Sequence, residues 1–162
     1  MTPELSRPFP LTRLGHGIDI IVNAKPEECE ALAQRMGVPA IARLTCKFDL
    51  VPVPTKRIRA IGRLETEVTQ ICVITLEAFE SIVIEDFVVN FVPAGTESEE
   101  LDLDAEDEIP YEGDTLDLGE ATAEQLALAL DPFPRKPGAE MPGEFTESPL
   151  TALAAVLRER KQ

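Results

Sequence analysis

Apolar and polar residues alternate with a period of two on both sides of residues 52–55, and this pattern constrains the fold more than any other feature. Successive side chains of a β-strand point to opposite faces of the sheet, so the alternation predicts two long strands with one buried face each. The prolines between them predict a turn. The predicted inward residues are Ala42, Leu44, Cys46, Phe48 and Leu50 in the first strand and Ile58, Ala60, Gly62, Leu64 and Val68 in the second.

Other segments add shorter elements before and after this pair of strands. Residues 9–14 and 18–22 predict two short strands joined by a turn at Gly15-His16-Gly17. Residues 26–36 predict a helix, because proline occupies the first helical position and acidic residues fill the first turn. Its predicted buried stripe is Cys29, Leu32, Ala33 and Met36.

The second half of the chain predicts further strands and a second helix. Residues 71–76 are apolar on both sides, which is typical of a central strand covered on both faces. Residues 79–92 predict another strand, which Pro93 ends, and residues 115–118 a short strand. A helix is expected over residues 119–130, before Pro132. The prediction is a single α+β domain whose mainly antiparallel sheet is flanked by two helices.

Charge is distributed unevenly along the 162 residues. Residues 64–134 contain 20 acidic and no basic side chains, whereas residues 1–63 contain 10 basic and 6 acidic ones. The net charge of −15 is therefore an asymmetry, which suits a protein that handles charged macromolecules better than one that turns over a small substrate.

The acidic residues are densest over residues 94–114, for which we expect a flexible loop within a domain of residues 1–134. Such a run buries too little apolar area to offset the entropy of ordering it. Beyond it, residues 135–162 predict a proline-rich linker and an amphipathic C-terminal helix with Leu150, Leu153, Ala154 and Leu157 on its apolar face. The candidate partner-binding acidic residues are Glu97, Glu99, Glu100, Asp102, Asp104, Glu106, Asp107 and Glu108.

The composition predicts a cytoplasmic protein without a membrane span. The N-terminus has no long apolar run, and no stretch approaches 18 uncharged apolar residues. Cys29, Cys46 and Cys72 form an odd set without close spacing, which argues against disulfides and for a reducing compartment.

Motifs for catalysis or metal binding are missing from the sequence. His16 is the only histidine and lies between two glycines, where a solvated turn residue is the simpler interpretation than a general base. Asp102, Asp104 and Glu106 alternate, but the glycine and closing glutamate of a calcium loop are absent. Without a Cys-x-x-Cys pair, structural zinc is not expected. We therefore expect no enzyme activity, no cofactor and no small-molecule substrate.

A basic surface is the remaining candidate site. If the two long strands pair, five cations share the outer face of the sheet and could follow a phosphate backbone. The alternative is an ordinary polar outer face, which Glu65 and Glu67 partly neutralise. No aromatic residue interleaves with the cations, so base stacking is not supported. The candidate RNA-binding residues are Arg43, Lys47, Arg57, Arg59 and Arg63.

The acidic segment has three possible roles on these grounds. It could bind a basic protein, fold back over the arginines and screen them from non-specific RNA, or serve only solubility. The sequence alone does not decide among them.

The C-terminal half contains motifs that resemble a known family. Asp117-Leu118-Gly119-Glu120 and the run from Glu124 to Arg135, with Asp131-Pro132-Phe133-Pro134, are similar to the signature of the YceD family. The opening Glu4-Leu5-Ser6-Arg7-Pro8, the run from Gln70 to Phe79 and the closing Ser148-Pro149-Leu150 fit as well. The resemblance is greatest to the alphaproteobacterial branch.

The resemblance implies a cytosolic factor needed for accumulation of 23S ribosomal RNA, with no catalytic residue to carry over. Many relatives hold a Cys-x-x-Cys motif where this chain has Cys72-Val73-Ile74-Thr75, with further cysteines near the C-terminus that suggest a metal. Thr75 replaces the second thiol here, and residues 131–162 contain no cysteine. A metal site is therefore not expected in this chain.

We therefore predict a non-enzymatic factor in large-subunit ribosome biogenesis that binds ribosomal RNA or a pre-50S particle through the five cations. On this prediction the acidic segment contacts a basic ribosomal protein. The alternative is an acidic adaptor or chaperone that binds such a protein without contacting RNA. A nuclease is disfavoured, because no acidic metal cluster accompanies the cations on regular structure.

Overall fold

Two long antiparallel hairpins form the centre of the molecule. The computed structural model describes residues 4–96 and 106–138. Strand β3 (Ala40–Val53) pairs with β4 (Arg57–Ile71), and β4 pairs with β5 (Ala78–Pro93), all antiparallel. These strands follow the predicted alternation, because Leu44, Cys46, Phe48 and Leu50 and every second residue of β4 from Ile58 to Val68 are buried.

Shorter elements complete the α+β fold. Strands β2 (Ile18–Asn23) and β6 (Asp107–Tyr111) add to the two sides, so that the sheet order is β2-β3-β4-β5-β6, with β6 parallel to β5. Strands β1 (Pro8–Pro10) and β7 (Thr115–Asp117) form a separate antiparallel pair. Helix α1 spans Pro26–Met36 and helix α2 spans Leu118–Ala129. The predicted fold class is confirmed.

Both helices bury their apolar residues in one core on the inner face of the sheet. Helix α1 contributes Cys29, Leu32 and Ala33, with Met36 packed alongside, as its predicted stripe requires. Helix α2 buries most of its length, and Leu126 is fully enclosed. Burial raises the pKa of the Cys46 thiol to about 12, and a hydrogen bond with Thr122 of α2 opposes this only in part. The inner face is therefore committed to packing, and the opposite face is left for solvent or partners.

Two predicted strands and the predicted inward position of Ala42 differ in the structure. Residues 9–14 do not form a hairpin with β2: β1 pairs with β7, and Leu11–Arg13 form a 3₁₀ turn after Pro10. Residues 71–76 are not a central strand, because β4 ends at Ile71 and the chain then turns, with Leu76 N–H bonded to the Cys72 carbonyl. Ala42 is exposed, since a β-bulge between Ile41 and Arg43 shifts the alternation by one residue.

The acidic segment predicted as a flexible loop is partly ordered in the sheet. Asp107–Tyr111 form β6, and Tyr111 is buried, with its hydroxyl donating to the Lys56 carbonyl oxygen. The prediction is wrong for this part, because pairing with β5 and burial of Tyr111 offset the cost of ordering. Glu97, Glu99, Glu100, Asp102 and Asp104 lie outside the described residues, as does the predicted C-terminal helix.

Candidate protein and nucleic-acid interface

The five predicted cations all lie on the outer face of β3 and β4. Residues opposite each other in an antiparallel pair share a face, and Arg43 lies opposite Glu67 while Lys47 lies opposite Arg63. Arg59 and Arg57 follow at intervals of two along β4, so they project to the same side. The fold thus brings together residues that are up to 20 positions apart in sequence.

Four of these five cations already have carboxylate partners. Guanidinium nitrogens of Arg57 and Arg59 lie 2.7 Å and 2.9 Å from carboxylate oxygens of Glu108 and Glu106. The remaining pairs are longer: Arg43 lies 3.5 Å from Glu67, and Arg63 lies 3.5 Å from Glu65 and 3.7 Å from Asp86. Lys47 has no ion pair with the part of the chain that the structure describes.

Carboxylates outnumber cations on this outer face. Besides the partners already named, Asp19 of β2 lies directly opposite Asp49 of β3, and Glu80 of β5 lies opposite Thr69. Like charges in opposite positions repel, so the Asp19–Asp49 and Lys47–Arg63 pairs are each a local excess of one sign. The carboxylates of strands β2–β6 on this face are Asp19, Asp49, Glu65, Glu67, Glu80, Asp86 and Glu108. The face is therefore a mixed-charge surface rather than a cationic track.

The described end of the acidic segment lies against the arginines. Glu108 lies opposite Asn90, which in turn lies opposite Arg59, and the Asn90 amide donates to Glu106. Of the eight predicted acidic residues, Glu106, Asp107 and Glu108 are described, and two of them pair with Arg59 and Arg57. This arrangement corresponds to the sequence-based alternative in which acidic residues cover part of the basic surface.

Sequence analysis did not identify a pair of exposed isoleucines on β5, near one side of the sheet. Ile82 and Ile84 on β5 are 64% and 49% exposed, on the outer face opposite Glu67 and Glu65. They alternate with residues of the inner face, so the pattern of β5 could have indicated them. The alternation shows that Ile82 and Ile84 share a face, and the register with β4 shows that this face is the outer one.

Two motifs of the family resemblance, residues 4–8 and residues 117–120, meet at the N-terminus of α2, away from the outer face. The Asp117 carboxylate caps α2 by accepting the N–H groups of Gly119 and Glu120, and it also accepts the Ser6 hydroxyl and the Arg7 N–H. A Cβ atom at Gly119 would lie 2.8 Å from backbone atoms of Leu5, Ser6 and Arg7, so glycine permits the close approach. These residues therefore have a structural role.

Ion pairs extend this junction, which we call the N-terminal clamp (residues 4–7, 28, 35, 117, 119 and 120). Arg7 and Glu28 form a two-pronged pair with nitrogen–oxygen distances of 2.6 Å and 2.7 Å. The hydrogen bond from Arg7 lowers the pKa of Glu28 to about 2, although burial opposes the shift. Arg35 of α1 bridges Glu120 of α2, at 2.9 Å, and Glu4, at 3.2 Å.

The turn after β4 holds the remaining unusual thiol. Burial alone raises the pKa of Cys72, but hydrogen bonds to its sulfur from the Lys136 N–H, from Thr75 and from the Ile74 N–H lower the pKa to about 6. The Thr75 N–H lies 3.4 Å from the sulfur, and the Val73 N–H binds the Pro134 carbonyl oxygen. Backbone and threonine donors thus surround this sulfur. Within residues 4–96 and 106–138, no group of three His, Cys, Asp or Glu side chains is placed to hold a metal ion.

Membrane insertion by a helix has no support in the described residues, since neither α1 nor α2 has the length and apolar character of a membrane span. His16 lies exposed in the turn between the 3₁₀ segment and β2. The outer face carries the five cations that the sequence singled out, together with their carboxylate partners.

Comparison with known proteins gives one family match. The model of the family described as "Large ribosomal RNA subunit accumulation protein YceD" matches residues 61–153, more than half of the chain. The match includes β5, the acidic segment and the α2 signature, whereas Arg43, Lys47, Arg57 and Arg59 precede it. Searches of the curated proteins and of the solved structures found no match.

Proposed function

The chain belongs to the YceD family of large ribosomal RNA subunit accumulation proteins, and on that premise we propose that it is a non-catalytic assembly factor. It acts in the bacterial cytoplasm, where it supports accumulation of 23S ribosomal RNA by binding a component of the precursor large subunit. Of the two candidate components, a basic ribosomal protein fits the geometry better than RNA.

The excess of carboxylates on the outer face is the observation that carries this proposal. Four of the five cations there are already paired with carboxylates, so RNA would have to displace these partners before its phosphates could bind. A basic protein gains attraction from Asp19, Asp49 and Glu80, which have no ion pair with the described residues, and from positions 64–134, which hold 20 acidic and no basic residues. The order of preference expected from the sequence is therefore reversed.

RNA contact is the second candidate, and one observation favours it. Lys47 lies opposite Arg63 and has no ion pair with described residues, and Arg57 and Arg59 project from the same face. If Glu106 and Glu108 released these arginines, Arg57 and Arg59 would extend the pair of Lys47 and Arg63 into a group of cations across β3 and β4. Arg43, Lys47, Arg57, Arg59 and Arg63 would then follow a phosphate backbone.

Charge reversal separates the two candidates. The variant Arg57→Glu, Arg59→Glu, Arg63→Glu is tested for binding to purified precursor large subunits over a range of salt concentrations. RNA contact predicts weaker binding and a slope of log affinity against log salt that is smaller by about 1 for each lost phosphate contact. Protein contact predicts that binding is unchanged or stronger. Because the first two substitutions also repel β6, Lys47→Glu with Arg63→Glu serves as a second variant.

Neutralisation of the acidic segment tests the preferred candidate directly. Glu97→Gln with Glu99→Gln and Glu100→Gln is expected to weaken capture of purified basic large-subunit proteins by about tenfold, since several favourable charge contacts are removed. The matched control neutralises the same number of carboxylates outside residues 94–114, at exposed positions of the two helices: Glu27→Gln, Glu30→Gln and Glu124→Gln. Equal capture by both triple variants and the unmodified protein would refute the proposal.

A further inference from the structure

Strand β5 is paired on both sides along only part of its length. It spans Ala78–Pro93 and pairs with β4 from Ala78 to Phe91, whereas β6 pairs with Val89–Pro93 alone. From residue 78 to residue 88, no described residue forms a ladder with the second side of β5. This stretch, which we call the free edge, presents a row of backbone donors and acceptors.

Three common protections of an edge strand are missing from the free edge, whose charges are all acidic, with Glu85 on the inner face. Natural proteins blunt such edges with lysine, proline or a bulge, and residues 78–88 contain neither lysine nor proline and pair with β4 in an unbroken register. Ile82 and Ile84 are β-branched and exposed, and they favour packing against the side chains of an added strand. The free edge therefore has both the backbone groups and the apolar side chains that strand addition uses.

Charge determines which strand would be accepted. Glu80 and Asp86 are exposed on the outer face on either side of the isoleucines, and Asp86 has one long ion pair with a described residue, 3.7 Å from Arg63. A second copy of this chain would bring these two carboxylates towards the same two of the other copy, which repel. An extended segment that carries lysine or arginine two residues before and two residues after a pair of alternate apolar residues would instead place its cations beside Glu80 and Asp86.

We propose that the free edge of β5 binds an extended, basic segment of a partner protein by strand addition. This inference rests on the proposed function, since it specifies how the basic ribosomal protein would be held. The added strand continues the sheet on the side that β6 leaves open, with its apolar residues on Ile82 and Ile84 and its cations near Glu80 and Asp86.

The first test uses the full-length protein and, as the probe, the synthetic peptide Lys-Thr-Val-Thr-Val-Thr-Lys, whose lysines and valines share one face of an extended strand. The double substitution Ile82→Lys, Ile84→Lys is expected to weaken peptide binding by about tenfold or more, because it removes apolar contacts and adds like charges at the edge. Ile61→Lys is the matched control, since Ile61 is also exposed on the outer face but lies on β4, which is paired on both sides. Equal losses in both variants would overturn the proposal.

The second test separates strand addition from simple charge attraction. A peptide of the same sequence with N-methylated backbone amides keeps its charges but loses its donors, and we expect binding to weaken by about tenfold or more because several hydrogen bonds are lost. Hydrogen exchange of the amides in residues 78–88 should slow with the unmodified peptide. Equal affinity for both peptides would refute strand addition.

The outcomes distinguish this inference from the proposed function. Strand addition is wrong, while the proposed function stands, if the protein still binds the basic ribosomal protein but peptide binding is weakened neither by Ile82→Lys with Ile84→Lys nor by N-methylation of the peptide. If the acidic-segment variant captures basic proteins as well as the unmodified protein does, the proposed function itself fails. A concentration-dependent dimer that Ile82→Lys with Ile84→Lys abolishes would assign the free edge to a second copy and overturn the proposal.

Discussion

The N-terminal clamp and the outer face use the same chemistry, arginine paired with glutamate, for different ends. In the clamp, the Arg7 and Glu28 side chains are 32% and 18% exposed and their atoms approach to 2.6 Å in a two-pronged pair. On the outer face, the Arg43 and Arg63 pairs have side chains more than a third exposed and distances of 3.5–3.8 Å. Water and salt screen the second set far more than the first.

This contrast separates the residues that define the fold from those available to a partner. Arg7 and Asp117 of the clamp also form hydrogen bonds with the backbone, so they have several fixed contacts, as Asp117 does with Ser6, Arg7, Gly119 and Glu120. The long pairs of Arg43 and Arg63 on the outer face can exchange one partner for another at little cost. The motifs of the family resemblance therefore include a structural junction, whereas the long pairs of the outer face are the more adjustable contacts.

The largest expected effect is that of Gly119→Ala in the clamp. Intrinsic helix propensity alone predicts that alanine stabilises a helix by up to about 1 kcal/mol relative to glycine. The added Cβ, however, would lie 2.8 Å from backbone atoms of residues 5–7, which cannot move aside as a flexible side chain can. We expect the free energy of unfolding in urea to fall by about 2–3 kcal/mol. A rise would contradict the close approach.

Substitution of Glu28 tests the clamp by pH and has an intermediate effect. The pKa of Glu28 is lowered from 4.5 to about 2, so its ionised form contributes stability that is complete above pH 4.5 and is lost as the pH falls through about 2. Glu28→Gln should reduce the free energy of unfolding by about 1–2 kcal/mol at pH 7. The difference from the unmodified protein should shrink as the pH falls from 4.5 towards 2.

The control for this prediction is Glu30→Gln, an exposed carboxylate on the same helix without an ion pair to the described residues. It should change stability by less than about 0.5 kcal/mol at every pH. A difference between Glu28→Gln and the unmodified protein that stays constant from pH 7 to pH 2 would show that the Arg7 pair does not carry the effect.

The sequence predicted those parts of the fold that depend on local signals. Helix α1 has its predicted bounds, because Pro26 begins it and Gly37, with φ of 70°, ends it in the left-handed conformation. Periodicity also predicted the faces of β3 and β4. It failed at residues 71–76, since an apolar run fits a buried strand and an apolar turn equally well.

Contacts between distant residues explain the other differences. The pairing of β1 with β7 joins residues more than 100 positions apart, and no local pattern indicates it. Strand β6 was missed because its acidic composition predicts disorder, whereas Glu108 of β6 and the preceding Glu106 pair with Arg57 and Arg59, about 50 positions away. Sequence reasoning found the five cations and expected Glu65 and Glu67 to neutralise them in part. The pairs with Glu106, Glu108 and Asp86 depend on the fold, so the basic character of the outer face was overestimated.

The smallest expected effect on stability is that of Arg63→Gln on the outer face. Its ion pairs with Glu65 and Asp86 are long and exposed, so we expect the free energy of unfolding to change by less than about 0.5 kcal/mol. The same substitution frees the Asp86 carboxylate beside the free edge of β5, and it should therefore strengthen binding of the valine–lysine peptide modestly. Calorimetric titration of the peptide measures this, with urea unfolding as the stability check. A loss of stability as large as that of Glu28→Gln would erase the distinction between the two regions, whereas weaker peptide binding would mean that Arg63 itself contacts the ligand.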